Sequence, residues 1–187
     1  MTVYRYYTAT TLDGFLADEH DSLDWLLSQP TGEQSILPYD DFLAGVGAIV
    51  TGRSTYDWVL EHEGVVDGAW IYTQPTFLFT HRPPAERREG VTAVSGAPAD
   101  FRAALEDAAG GKDVWIVGGG DLAAEFARAG MLDEVFVSIA PVTLGAGRPL
   151  LGGAFDLKLL EHGTNGAFLE ARFAVRGERG RVEATAP

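Results

Sequence analysis

Three consecutive glycines, Gly118-Gly119-Gly120, separate a short apolar run from an amphipathic one, and few stretches of the chain are as restrictive. Val114 to Val117 is β-branched and aromatic and is bounded by polar residues, which predicts a buried strand. After the glycines come Asp121, a residue of N-cap type, and then Leu122, Phe126 and Ala129 at helical spacing. The order is strand, glycine turn, helix. The first N–H groups of such a helix lack internal partners and carry partial positive charge, and glycine lets an anion come close. A tight turn alone needs one glycine; three in a row favour a ligand such as a phosphate.

At 187 residues, with 46% apolar and 22% charged residues, the chain suits one domain with a real core. Residues 1–175 carry the pattern of that domain, and 176–187 read as a flexible polar tail. A net charge of −13 argues against nucleic acid or an anionic membrane as partner. No apolar run is long enough for a bilayer span, and the start lacks the apolar region of a signal peptide, so cytoplasmic residence fits. Without cysteine there is no disulfide, thiolate metal site or cysteine nucleophile, and no metal is expected. In so acidic a chain, a phosphate-rich ligand would need the few basic residues gathered at its site.

Tyr4 to Thr11 reads as a first strand, ending in a turn or loop at Asp13-Gly14. Helices are predicted over Ser22–Gln29 and from Pro38 through Val46, and a strand over Gly47–Thr51. That strand delivers a second glycine turn, Gly52-Arg53-Ser54-Thr55-Tyr56, ahead of a helix ending near Glu63-Gly64. An arginine at a helix start opposes the helix dipole unless an anion is present, so Arg53 is a candidate phosphate ligand. Val65 to Gln74 reads as a loop containing Trp70 and Tyr72. The strand Thr76–Thr80 runs into His81-Arg82-Pro83-Pro84, a basic pair at a strand end. A strand over Val91–Val94 and a helix over Pro98–Ala109, capped by Gly110-Gly111, follow. Val135–Ala140 is a strand, 141–151 a glycine-proline loop, and Phe155–His162 with Ala167–Val175 a hairpin about Asn165-Gly166.

Alternating strands and helices closed by a hairpin predict an α/β three-layer sandwich with a central, mostly parallel mixed sheet of about eight strands and a C-terminal antiparallel hairpin. The glycine turns fall at strand carboxyl ends, where open α/β sheets bind ligands. Gly118-x-Gly120-x-x-Ala123 loosely fits a Rossmann fingerprint, but the next strand ends Ile139-Ala140-Pro141 without the acid that holds a ribose.

Four stretches in order make a more specific pattern. They are Ala9-x-Thr11-Leu-Asp13-Gly14-Phe-x-Ala17, Gly52-Arg-Ser-Thr-Tyr56, Val117-Gly-Gly-Gly-Asp121-Leu122, and Asp133-Glu134 leading to Pro141-Val-x-Leu-Gly-x-Gly-x-Pro-Leu150. Together, over residues from about 3 to 175, they resemble the dihydrofolate reductase-like family, in the branch of the reductase domain of bifunctional riboflavin-biosynthesis proteins. The resemblance implies a dihydrofolate reductase-like fold that binds NADPH across its strand ends. The loop carrying Ala9, Thr11, Asp13, Gly14 and Ala17 would lie against the nicotinamide. Gly52, Arg53, Ser54 and Thr55, with Val117, Gly118, Gly119, Gly120, Asp121 and Leu122, would hold the pyrophosphate. Thr80, His81 and Arg82 would meet the adenosine end and its 2′-phosphate. The Gly118–Gly119 peptide is often cis in this family and is expected to be so here.

Such a reductase uses the cofactor's hydride, and the protein aligns the reactants and excludes water. Its proton comes from a carboxyl group or an ordered water, and Asp40 or Asp41 lies on the helix where the family carries an acid. Trp25, Phe42, Tyr56 and Trp70 are candidate walls for a flat heterocycle, although apolar residues at helical spacing are more often core. After Thr76 the chain reads Phe-Leu-Phe-Thr-His-Arg, not the aspartate- and arginine-bearing stretch with which riboflavin reductases hold a ribose phosphate. Expected, then, is an NADPH-dependent reductase of a small heterocyclic or carbonyl compound, pteridine- or riboflavin-precursor-like (5-amino-6-(5-phosphoribosylamino)uracil reductase-like). The alternative is a non-catalytic nucleotide-, flavin- or pterin-binding module of the same fold. The family also suggests a homodimer, with contacts from the Gly145–Leu151 loop and the terminal strands.

Overall fold

A strand-forming run opens the ordered chain and becomes the middle of the sheet. The structure is a computed structural model and describes residues 1–62, 69–82, 84 and 88–180. β1 (Tyr4–Thr11) and a short β2 (Phe15–Ala17) are followed by α1 (Asp24–Leu27) and α2 (Tyr39–Ala44). Then come β3 (Val46–Gly52), α3 (Arg53–His62), β4 (Thr76–Phe79) and β5 (Val91–Val94). A 3₁₀ turn (Pro98–Phe101) leads into α4 (Arg102–Ala109), β6 (Asp113–Gly118), α5 (Gly120–Arg128) and β7 (Glu134–Ala140). β8 (Arg148–Pro149), β9 (Phe155–Asn165) and β10 (Phe168–Glu178) complete the order.

Eight strands form one sheet in the order β5-β4-β3-β6-β1-β7-β10-β9. The first six run parallel, and β10 pairs antiparallel with both β7 and β9. This is the expected three-layer arrangement with its antiparallel edge. Alternation along the strands divides the core. On β3, Ala48 and Val50 face a cluster built with Leu105 of α4 and Leu122, Ala123 and Phe126 of α5, whereas Ile49 faces Phe42 of α2 and Trp115. Tyr56 and Val59 of α3 pack on Leu78 of β4. Each fully buried side chain of this size contributes about 1.5–3 kcal/mol through removal from water.

Several boundaries differ from the sequence reading. Val46 is the first residue of β3, and α2 ends at Ala44 with Gly45 as its cap, because Val46 is buried in the sheet's register opposite Asp113. The predicted helix over Ser22–Gln29 shortens to one turn. The hairpin strands reach Asn165 and Glu178, and its turn is Gly166-Ala167, with Gly166 at φ +60°. Arg176 to Glu178 therefore belong to the sheet, and the Arg179 N–H donates to the Ala154 carbonyl at 2.9 Å. Residues 181–187 lie outside the described residues, as do the expected helix end at Glu63-Gly64, part of the 65–74 loop, and Pro83. Among the described residues, no helix is long and apolar enough to cross a membrane.

Candidate active site

Because six strands run in one direction, the loops after β1, β3, β4, β5, β6 and β7 leave the sheet at the same edge. The two glycine turns meet there. Thr51 of β3 is in register with Gly118 of β6, and a Cβ on Gly52 would lie 3.6 Å from the Gly118 carbonyl and 3.7 Å from the Gly119 nitrogen. The Gly118–Gly119 peptide is cis. Thr55, in the first turn of α3, closes the junction: a Cβ on Gly118 would come 3.1 Å from its Oγ1. Around Gly119 the nearest contact of this kind is 4.0 Å away, so the turn keeps an open approach at its centre.

The helix after this turn begins at Gly120, with Gly119 as N-cap, so Asp121 stands exposed in the first turn and does not cap. The N-cap makes no side-chain hydrogen bond, and the α5 ladder opens with the Ala123 N–H donating to the Gly119 carbonyl at 3.0 Å. The N–H groups of residues 120–122 precede that ladder. This is the electropositive helix start that an anion can use. The third glycine has another cause: a Cβ on Gly120 would run into the carbonyl oxygens of Pro149 and Leu150. Packing alone therefore accounts for the third glycine.

Thr80, His81 and Arg82 follow β4 and form a tight turn. The Thr80 hydroxyl donates to the Arg82 carbonyl at 2.9 Å and accepts the Arg82 N–H at 3.1 Å. His81 Nδ1 lies 3.3 Å from Ser95 Oγ, beyond the end of β5. A cleft of about 170 Å³ joins this turn to the glycine junction and is walled by Gly52, Thr80, His81, Ser95, Leu122 and Glu125. Ser95 and Glu125 escaped the sequence reading. Glu125 falls on the exposed side of an amphipathic helix, where an acid is ordinary, and only the parallel packing of β4 beside β5 turns Ser95 toward the site.

The first loop is assembled differently. Buried Thr11 donates its hydroxyl to Asp13 at 2.6 Å and accepts the Phe15 N–H at 3.0 Å. Asp13 also accepts the backbone N–H groups of Leu144 at 3.0 Å and Gly145 at 2.7 Å. The Thr11 hydroxyl, the Gly145 amide and the Leu144 amide hold the Asp13 carboxyl below its ordinary range despite some desolvation. The Leu150 N–H donates to the Gly14 carbonyl at 2.8 Å, β2 pairs with β8, and Gly147 packs on the Ala17 carbonyl. The Gly152 N–H donates to the Gly120 carbonyl at 3.1 Å. One strap, residues 144–152, thus fastens the Thr11–Ala17 loop to the start of α5.

The four aromatic candidates do not converge on one pocket, although Tyr56 and Trp70 pack together. Trp25 packs with Ala140 and Phe168, Phe42 stacks on Tyr7 at 4.3 Å, and Tyr56 lies with Trp70 at 5.0 Å in a third cluster. All four are buried. Trp70 donates its indole N–H to Thr76 at 2.9 Å, whereas the buried Trp25 Nε1 has no hydrogen-bond partner among the described residues. Asp40 and Asp41 are exposed in the first turn of α2, a position that complements the helix dipole. Phe42, next to them, sets α2 over Tyr7 of β1, two residues before Ala9. Ser54 is exposed in the first turn of α3, and Val117 is half-buried against the Phe42–Trp115 cluster.

Sheet order, glycine junction and strap define a dihydrofolate reductase-like fold. A dihydrofolate reductase from Enterococcus faecalis, solved in complex with NADP(H), superimposes with a TM-score of 0.58 at 14% identity, covering 93% of this chain and 96% of that one. The family model for the RibD C-terminal domain matches residues 57–167. The uncharacterized protein YwjB of Bacillus subtilis is 35% identical over 146 residues, 77% of this chain and 79% of that protein. A putative riboflavin biosynthesis protein from Shewanella sp. PV-4 superimposes with a TM-score of 0.78 at 26% identity, covering 94% and 99% of the two chains. The chain belongs to the RibD C-terminal domain family.

Proposed function

We propose that this protein is an NADPH-dependent reductase of a small heterocyclic or carbonyl compound, pteridine- or riboflavin-precursor-like. The observation that carries the reading is the meeting of Gly52 with Gly118-Gly119 beside the uncapped start of α5. That junction fits a pyrophosphate: the first N–H groups of α5 precede its hydrogen-bond ladder, and the space a Cβ on Gly119 would occupy is clear. Thr55, the 118–122 turn and Ser54 then hold the pyrophosphate, and Thr80, His81 and Arg82 the adenosine end. Ala9, Thr11, Gly14 and Ala17 line the nicotinamide end, with Asp13 holding their loop in place. NADPH would supply the hydride. Asp40 or Asp41 of α2, or an ordered water, supplies the proton, and the strap keeps bulk solvent out.

Fluorescence titration with NADPH and NADH tests the cofactor, and NADPH oxidation over a panel of pterins, pyrimidines and carbonyl compounds tests the reaction. Saturable binding with a preference for NADPH and turnover of at least one compound class are expected; no binding of either nucleotide sinks the reading. A non-catalytic nucleotide-, flavin- or pterin-binding module is the second reading. What favours it is the exposure of Asp40 and Asp41, the two candidate proton donors. Binding without turnover of any compound in the panel would select it.

A further inference from the structure

A cation at a helix start calls for an anion, and for Arg53 the fold supplies one from within the chain. Its Nε–H points at both oxygens of Asp57, at 2.8 and 2.7 Å, one helical turn further along α3. Its Nη1 donates to the Arg82 carbonyl at 2.9 Å. The same carbonyl receives the Thr80 hydroxyl, so the turn that presents His81 and Arg82 is tied to α3 through one guanidinium with a carboxylate behind it. Both members of the pair are substantially exposed, at 39% and 49%. An exposed pair of this kind contributes little to stability, which leaves its geometry as the reason to have it.

We infer that Asp57 is a positioning residue for the phosphate at the adenosine end of the cofactor: it aims Arg53 as a brace beneath the Thr80–Arg82 turn. This rests on the NADPH reading above. The inference has a sign that simple electrostatics does not share. A carboxylate close to a 2′-phosphate repels it, so on Coulombic grounds alone removing Asp57 tightens NADPH binding. If Asp57 acts through Arg53, removing it frees the guanidinium from its fork, loosens the turn and weakens binding.

The test is titration of the full chain with NADPH and NADH, comparing wild type with Asp57→Ala, Asp57→Asn and Arg53→Lys, with thermal melts as a control. Asp57→Ala is expected to weaken NADPH about tenfold, the equivalent of one charge-assisted hydrogen bond, and NADH several-fold less. Asp57→Asn keeps an oxygen acceptor for Nε–H and should stay within about threefold of wild type. Arg53→Lys cannot make the two-ended contact and should follow Asp57→Ala. Unchanged or tighter NADPH binding by Asp57→Ala, or equal losses for both nucleotides, overturns the brace while leaving the cofactor reading intact. Failure of the wild type to bind NADPH overturns both.

Discussion

The Asp13 carboxylate accepts the backbone N–H of Gly145 at 2.7 Å, joining the first loop of the chain to one 132 residues further on. Leu144 and Thr11 donate to the same carboxylate, so this side chain holds two loops together. Asp13→Ala should therefore speed amide hydrogen exchange at Leu144, Gly145 and Phe15 while leaving the sheet's protection unchanged. Unaltered exchange at Leu144 and Gly145 would show that the contact is not what fixes the loop.

The pH dependence of that latch follows from its direction of shift. The carboxyls of Asp13 and of Asp21, which pairs with Arg148 at 2.6 Å, are held below the ordinary value of 3.8. A depressed folded value means that the stabilising contribution is complete above the unfolded value and is lost as pH falls through the folded one. Loop exchange rates corrected for intrinsic chemistry should be flat from about pH 5 to 8 and rise only in stronger acid. A change centred near neutrality would contradict this account.

At the alkaline end the tyrosines decide. Desolvation, reinforced by Glu106, pushes Tyr4 up to about 12, and desolvation with Glu170 pushes Tyr7 up to about 12. These raised values give stability that is whole below the ordinary 10.0 and is lost as pH climbs toward the folded values. Urea-unfolding midpoints should hold between about pH 8 and 10 and then fall, and Tyr4→Phe should blunt the fall. An identical alkaline slope in Tyr4→Phe would remove that residue from the explanation.

Glu170 is 1% exposed and meets no cation among the described residues; it accepts from the Ser35 hydroxyl, the Ile36 N–H at 2.8 Å and the Asn165 amide at 3.1 Å. It pins the segment before α2 to the β10 strand. Glu170→Ala would orphan those donors and should cost about 3 kcal/mol, seen as a lower unfolding midpoint. A loss below about 1 kcal/mol would mean that water replaces the carboxylate without penalty.

Neighbouring glycines should separate in their effects. Gly120→Ala collides with the Pro149 and Leu150 carbonyls and should cost about 1–3 kcal/mol of stability through overpacking. Gly119→Ala meets only Thr55 Oγ1, at 4.0 Å, so its fold should be kept while nucleotide affinity drops. Equal thermal losses for the two would contradict the division between a packing glycine and a ligand-facing one.

Much of this protein is legible along the chain. Tyr4–Thr11 and Val91–Val94 are strands with the bounds their β-forming residues indicate, and α5 follows its glycine turn because Leu122 and Phe126 recur at helical spacing. What single-residue patterns missed are interactions between distant segments. Arg53 reads locally as an unanswered cation, yet Asp57, Arg82 and a strand register bring it two partners. Asp121 reads as an N-cap, yet the helix begins two residues earlier, at Gly120, which packs under the 149–150 strap. The aromatic residues suit a pocket wall or, at helical spacing, the core, and the core holds all four.

The sequence by itself determined the alternation of strands and helices, the closing hairpin and the glycine turns at strand ends, because periodicity and backbone freedom are local properties. Only the tertiary structure decided that Gly52 lies against Gly118, that Asp13 faces Gly145 and that Arg53 supports the Arg82 turn. Those relationships depend on strand order and register, which arise from packing between parts of the chain far apart in sequence.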